Sequence, residues 1–261
     1  MRKPRSISRL PSVCLDEVSV ESIEAARALC YPLDHTSSRC SERAERLLVA
    51  GVESLCSLGS SSLPSSRLRV LGKGHAGVVV AAFSKKLGLI AVKSRRLDSK
   101  RSTLALEARR LSEASLAGVA PRVHYYDDDL IVMDIVWGPA LEEMIEAYGV
   151  NKRIVAEVLE LARTLDAIGV LHHELSRPWR NVLFTCETPL CKALVVDLES
   201  SGAGCGNVPL VLGGLATRSA RLRALLMSIR RQLGEYAEHG CSREEFIEIK
   251  SRVLEALEDQ L

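Results

Sequence analysis

Apolar residues change their spacing several times along the chain, and each change marks a different kind of element. Between 16 and 57 they recur at helical intervals: Val20, Ile23, Ala26 and Leu29, then Ala44, Leu47, Leu48, Val52 and Leu55, the spacing that keeps one face of a helix apolar. The stretch SLGSSSLPSSR, 57 to 67, interrupts that pattern and reads as a linker. From 68 to 97 the runs LRVLG, GVVVAAF and LGLIAVKSR are short, β-branched and separated by turn-prone residues, so they predict strands. SKRSTLALEARRLSEASL then predicts a helix that Ser99 or Ser102 can cap, and RVHYY and LIVMDIV form two short strands around the turn DDD. From about 140 the pattern is mostly helical, broken by LHHELSRPWRNVLF at 171 to 184 and by the strand-like pair NVLFT and KALVVDL. Two amphipathic helices finish the chain. Leu222, Leu225, Leu226, Ile229, Leu233 and Tyr236 form one stripe; the other follows the capping box Ser242-Arg243-Glu244-Glu245 with Phe246, Ile249, Val253, Leu254 and Leu257. No internal repeat is visible. The expected fold class is α+β.

Length and charge narrow the picture. A chain of 261 residues suits one large domain or two small ones. The formal net charge of +2 supplies no global field toward nucleic acid, so direct nucleic-acid binding is not indicated. The basic opening MRKPRSISRL leads into SVCLDEV, not into an apolar core, and so does not read as a secretory signal. No apolar run approaches the roughly 18 residues of a membrane helix. A cytoplasmic protein without membrane contact is the expectation.

Eight cysteines, at 14, 30, 40, 56, 186, 191, 205 and 241, include no C-x-x-C pair, which argues against zinc. Cys186 and Cys191 flank the turn ETPL, where a cross-hairpin disulfide is geometrically conceivable, although an ordinary cytosol keeps thiols reduced. Asn and Gln together number five, a depletion that fits a hot-living source; codon bias accounts equally for 26 Arg against 9 Lys.

Candidate chemistry begins at LGKGHAGVVV, with Gly72, Gly74 and Gly77. A dinucleotide fold would need a helix after such a loop, and a P-loop would need G-K-[ST]; here a strand follows. What remains is a glycine flap between antiparallel strands, with bare backbone that can lie close over phosphates. The next strand, IAVK, puts Ala91 and Lys93 on one face: a small residue leaving room for a flat base, and an ammonium for phosphate oxygens. Glu107 sits on the apolar stripe of the following helix, between Leu104 and Leu111. A carboxylate turned toward a core needs a cation, and Lys93 is the available one.

Together these residues resemble the protein-kinase-like superfamily. LGKGHAGVV is similar to its glycine-rich loop, IAVK to its nucleotide lysine, and LEARRL to the helix bearing the paired glutamate. EARRLSEASLAGVAPRVHYYDDDLIVMDIVWG resembles small, RIO-like archaeal Ser/Thr kinases. The resemblance covers roughly residues 68 to 235 and leaves 1 to 66 outside. It implies a two-lobed fold: a helical extension at 1–66, a small antiparallel lobe at 67–137 and a reduced helical lobe at 138–261. It also implies ATP and Mg²⁺ as cofactors. ATP would lie against Gly72, Gly74, Gly77, Val78, Ala91, Lys93 and Glu107, with Met133 as gatekeeper and the Asp134 and Val136 backbone at the adenine edge.

LHHELSRPWRNVLF then occupies the place of the catalytic loop. By that resemblance Glu174 is the base, Asn181 and Asp197 hold Mg²⁺, and Lys93 completes the catalytic set. Two departures stand out. Glu replaces the usual Asp, and Glu174 and Asn181 are seven positions apart, where the usual motif has five. Arg177 or Arg180 could neutralise phosphate charge. No A-P-E signature follows Asp197-Leu198-Glu199. The expected activity is transfer of the γ-phosphate to Ser/Thr hydroxyls of an unknown protein acceptor, the serine-rich stretch of this chain included. The alternatives are an ATPase switch on a ribosomal or other assembly, a nucleotide-binding scaffold with a degenerate loop, a small-molecule phosphotransferase, and a His172-His173-Glu174 metal site.

Overall fold

The computed structural model describes Cys14 and residues 16–32, 37–64, 66–187 and 190–257. The basic opening MRKPRSISRL lies outside the described residues, as do two positions of the expected ETPL turn. The fold is mixed α+β with antiparallel sheets, and it divides into two compact units. One comprises the described residues up to Arg109 together with Arg122–Ile135; the other comprises Arg110–Pro121 and the chain from Val136.

In the first unit, chain order runs β1 (Glu17–Ser19), α1 (Ile23–Leu29), α2 (Ser38–Val49), β2 (Ser54–Cys56), β3 (Ser61–Ser62), β4 (Arg69–Val70), β5 (Gly72–Lys73), β6 (Gly77–Ser84) and β7 (Gly88–Arg95). Helix α3 (Ala105–Leu116) begins in this unit, and β8 (Val123–Tyr126) and β9 (Leu130–Asp134) belong to it. The main sheet runs β1-β2-β6-β7-β9-β8, with β5 also paired to β6, and every pairing is antiparallel. Period-two alternation splits its strands cleanly. Val78, Val80, Ala82, Ile90, Val92 and Val132 join Ala25, Ala28, Leu29, Leu47 and Leu55 in one core cluster. Ala81, Ala91, Lys93 and Met133 alternate with them and are also buried.

The expected boundary near residue 66 therefore falls inside a compact unit. Val52 and Leu55, read as a continuing helix, belong to the irregular stretch before β2 and to β2; both are buried, Leu55 because a strand next to β6 needs apolar residues as much as a helix face does. Described residues of the serine-rich stretch also take part in this unit. β3 and β4 pair, the Ser57 hydroxyl accepts from Arg69 N–H, and Leu63 and Leu68 are buried. Serine hydroxyls can serve tight backbone that neither a helix nor a sheet satisfies.

Arg43 of α2 is fully buried and fastens the helix to the sheet. Its guanidinium donates to the Arg95 carbonyl (2.7 Å), the Ser94 hydroxyl (3.2 Å), the Leu29 carbonyl and Asp129 Oδ1 (2.8 Å). Arg95 and Arg46 also reach Asp129. Burial opposes ionisation of Asp129, but the Arg43 charge and the three guanidinium hydrogen bonds outweigh it and hold the carboxyl down at about 2.

The second unit continues with α4 (Leu141–Tyr148), α5 (Lys152–Ala167), β10 (Val170–His172), a 3-10 turn over His173–Ser176, β11 (Val182–Glu187), β12 (Leu190–Val195) and β13 (Ser201–Ala203). Four helices complete it: α6 (Asn207–Ala216), α7 (Ala220–Ser228), α8 (Arg230–Glu238) and α9 (Arg243–Glu255). The first terminal stripe is two helices, broken at Ile229 (φ −107°, ψ 12°), and Leu222, Ile229 and Tyr236 still bury one side. The Ser242 cap is present, its hydroxyl accepting from Glu245 N–H at 3.2 Å. Neither Ser99 nor Ser102 caps α3; the Thr103 hydroxyl accepts from Ala105 N–H instead.

All eight cysteines are paired: Cys14–Cys56, Cys30–Cys40, Cys186–Cys191 and Cys205–Cys241. The cross-hairpin pair joins facing positions of β11 and β12. The reduced thiols expected of an ordinary cytosol are not what the structure holds. Among the described residues no helix is long and apolar enough to cross a membrane.

Candidate functional site

Two clusters, one in each unit, collect the residues singled out above. In the first unit, β5 and β6 form the expected glycine hairpin, Gly72 opposite Val79 and Lys73 opposite Val78, and Gly74 N–H donates to the Gly77 carbonyl at 2.9 Å. A Cβ at Gly72 would meet nothing within 4 Å, and one at Gly74 would lie in ordinary contact, 3.8 Å from the Gly77 carbonyl oxygen. Gly77 is tighter: a Cβ there would lie 3.0 Å from the Ser94 carbonyl oxygen and 3.1 Å from the Lys93 stem. Glycine at 77 thus leaves the lysine its path beneath the hairpin. Lys93 Nζ meets Glu107 Oε1 at 2.6 Å, with the two side chains 4% and 5% exposed. Glu107 lies between the buried Leu104 and Leu111, as its place on the stripe required.

Val78 needs correction. It turns away from Lys93 into the core cluster with Val80, because odd and even positions of β6 face opposite sides. Val79 is the cross-strand partner of Lys93 and takes the place assigned to Val78. Ala91 and Met133 are paired neighbours on β7 and β9, both buried. Asp134 is exposed; its N–H donates to the Arg122 carbonyl and its carboxylate meets His124 at 2.6 Å. Only its carbonyl could serve an adenine edge. Val136 sits half-buried in the irregular stretch after β9.

In the second unit Glu174 occupies the 3-10 turn. Its Oε2 accepts from Asn181 Nδ2 at 2.6 Å and its Oε1 from the Ser200 hydroxyl at 2.7 Å. Val196 N–H donates to the Asn181 carbonyl at 3.0 Å, which sets Asn181 beside the strand end that carries Asp197. Asp197 Oδ1 accepts from Glu199 N–H at 2.9 Å, and Leu198 between them is fully buried. The Asn181 amide nitrogen is spent on Glu174, so its Oδ1 is the oxygen suited to a cation. One amide oxygen and one carboxylate fit a Mg²⁺ ion that keeps waters and phosphate oxygens as its other ligands. No group of three or more His, Cys, Asp or Glu that could hold a metal occurs among the described residues, which removes the His-His-Glu reading. His173 is exposed, whereas His172 is fully buried with both ring nitrogens unpartnered. Burial pushes the His172 imidazole below its usual range against the pull of Asp197 and Glu174.

The backbone under this turn is held from below. His172 N–H donates to Asn207 Oδ1 at 2.8 Å, and Asn207 Nδ2 donates to the Val170 carbonyl and to Asp166, both at 2.7 Å. Asp166 also accepts from the N–H groups of Gly206, Asn207 and Val208 at the start of α6, and from the Tyr236 hydroxyl at 2.8 Å. Burial and the Asp166 charge push the Tyr236 phenol far up. The sequence reading missed Asp166, yet the rule that found Glu107 applies: a carboxylate on an apolar stripe, here beside Ala162 and Leu165. Ser200 carried no such signal. Arg180 is 87% exposed, with Glu142 3.7 Å from its guanidinium.

No protein-family model matches the chain, and no curated protein matches it.

Proposed function

We propose that the protein is an ATP-dependent phosphotransferase of the protein-kinase-like type, transferring the γ-phosphate to a Ser or Thr hydroxyl, with the two units as its two lobes. The observation that carries this reading is the buried Lys93–Glu107 pair under the glycine hairpin. A desolvated ion pair contributes little net stability, which favours a functional reason for holding an ammonium beneath the hairpin. Glu174 would take the proton of the acceptor hydroxyl as its oxygen bonds to the γ-phosphorus and the bond to the β-phosphate breaks. Asn181 and Asp197 would hold Mg²⁺, which when bound offsets phosphate charge. The buried His172, its imidazole made less basic by burial, would pack beneath this loop.

One observation favours a second reading. Both Glu174 oxygens already have donors, Asn181 and Ser200. Neither oxygen can then take an acceptor's proton without giving up a partner, which suits a nucleotide-binding scaffold or slow ATPase. Incubation with Mg²⁺ and γ-labelled ATP separates the two, with protein-bound label and free phosphate followed for wild type, Lys93→Ala and Glu174→Ala. Label on protein that both variants abolish supports transfer. Free phosphate alone supports the ATPase, and thermal stabilisation by ATP with neither product supports the scaffold.

A further inference from the structure

Beside Glu174, the turn at 176–180 and the end of α6 form an arginine-rich corner. A Cβ at Gly214 would lie 2.8 Å from Pro178 Cδ and 2.9 Å from the Ser176 carbonyl oxygen. Only glycine lets α6 press this closely on the turn, and Arg218 follows one helical turn later. Arg177, Arg180 and Arg218 are all exposed. Arg218 lies over the Trp179 ring, 4.9 Å from its centroid. Glu142 stands between two of them, 3.7 Å from Arg180 and 3.4 Å from Arg218. One carboxylate shared by two guanidiniums orients both without neutralising them, since each keeps most of its five N–H donors. The surrounding chain adds to the same sign: from Ser200 to Gly234 there are five arginines and no Asp or Glu.

We propose that this corner docks acidic polypeptide, so that Arg177, Arg180 and Arg218 grip carboxylates flanking the hydroxyl that Glu174 serves. The proposal rests on the phosphotransfer reading and names its acceptor class. Arg177 is three positions from Glu174, and its N–H donates to the Glu174 carbonyl at 2.8 Å. Carboxylates only a few residues from the acceptor hydroxyl can therefore reach the corner. Peptide fits better than nucleic acid. Glu142 would lie in the path of a continuous phosphate backbone, and the whole chain carries a net charge of only +2. Arg218 already stands over one face of Trp179, where a base would otherwise stack.

The test uses the full chain with Mg²⁺ and γ-labelled ATP. Two serine peptides are compared, identical except that glutamates flank the serine in one and lysines in the other. The glutamate peptide should be the better substrate by about tenfold in kcat/KM, with Arg218→Glu erasing the preference through KM and Arg180→Glu/Arg218→Glu reversing it. Equal use of both peptides, or polyuridylate RNA displacing the glutamate peptide as well as a second acidic peptide does, overturns the proposal. If no label reaches any peptide or the protein itself, the phosphotransfer reading fails. The surface is then judged by fluorescence anisotropy of the glutamate peptide without nucleotide. Salt-sensitive binding lost in Arg218→Glu upholds it, and no binding sinks it.

Discussion

Glu107 and Asp166 begin alike and end differently. Each is a carboxylate on the apolar stripe of a helix, and each is 5% exposed. Glu107 meets an ammonium, Lys93, at 2.6 Å. Asp166 meets amides and a phenol: three backbone N–H groups, Asn207 Nδ2 and the Tyr236 hydroxyl. The first arrangement leaves a cation oriented at the surface of a glycine hairpin. The second spends the carboxylate entirely on joining α5, α6 and α8 below the turn of Glu174. Equal burial thus has two uses, a poised charge in one unit and a scaffold joint in the other.

That contrast can be broken or sharpened by substitution. The largest effect belongs to Asp197→Ala, which should lower turnover by at least about a hundredfold, roughly 3 kcal/mol of transition-state stabilisation, while adenine binding changes little. Unchanged turnover would remove the metal assignment. Asp166→Ala should act on stability, costing about 3 kcal/mol in urea unfolding because several buried donors lose their acceptor together. If it removed activity with no loss of stability, the two carboxylates would not differ as described. Glu107→Gln should lower kcat/KM by about tenfold and cost on the order of 2 kcal/mol of stability, because the buried Lys93 loses the Glu107 charge. Full activity in that variant would make the pair structural.

Asp129 gives a smaller, pH-dependent effect. Its folded value of about 2 lies below the unfolded value, so its stabilisation is present above roughly pH 4 and is lost as pH falls toward 2. About 2 kcal/mol should disappear across that window, and Asp129→Asn should flatten the curve there. Urea midpoints at several acid pH values read it directly. The smallest effect is Tyr236→Phe, about 1 kcal/mol from one lost hydrogen bond, with turnover nearly intact.

Much of the local structure was legible. The β6–β7 hairpin, the stripe of α3 and the Ser242 cap follow from residue spacing, since alternation and capping are short-range rules. So is the pairing of Glu107 with Lys93, because a carboxylate among leucines must find a polar partner and the preceding strand places an ammonium within reach. The helical reading of Leu55 failed because a buried strand and a helix face accept the same residues. Val78 was misplaced by one position, which in a strand is the difference between opposite faces. Ser200 was invisible, as a hydroxyl acquires a role only from the atom it meets.

Sequence alone determined which segments could be strands or helices, that a carboxylate on an apolar stripe would demand a partner, and where bare backbone would lie. These are properties of a residue and its near neighbours. Tertiary structure decided that Glu17–Ser19 and Ser54–Cys56 join the sheet, that Arg43 and Asp129 fasten α2 to it, and that Asp166 supports the turn of Glu174 across 41 positions to Asn207. Those pairings span distances over which the chain has no preferred direction until the core closes, and so no spacing rule could have announced them.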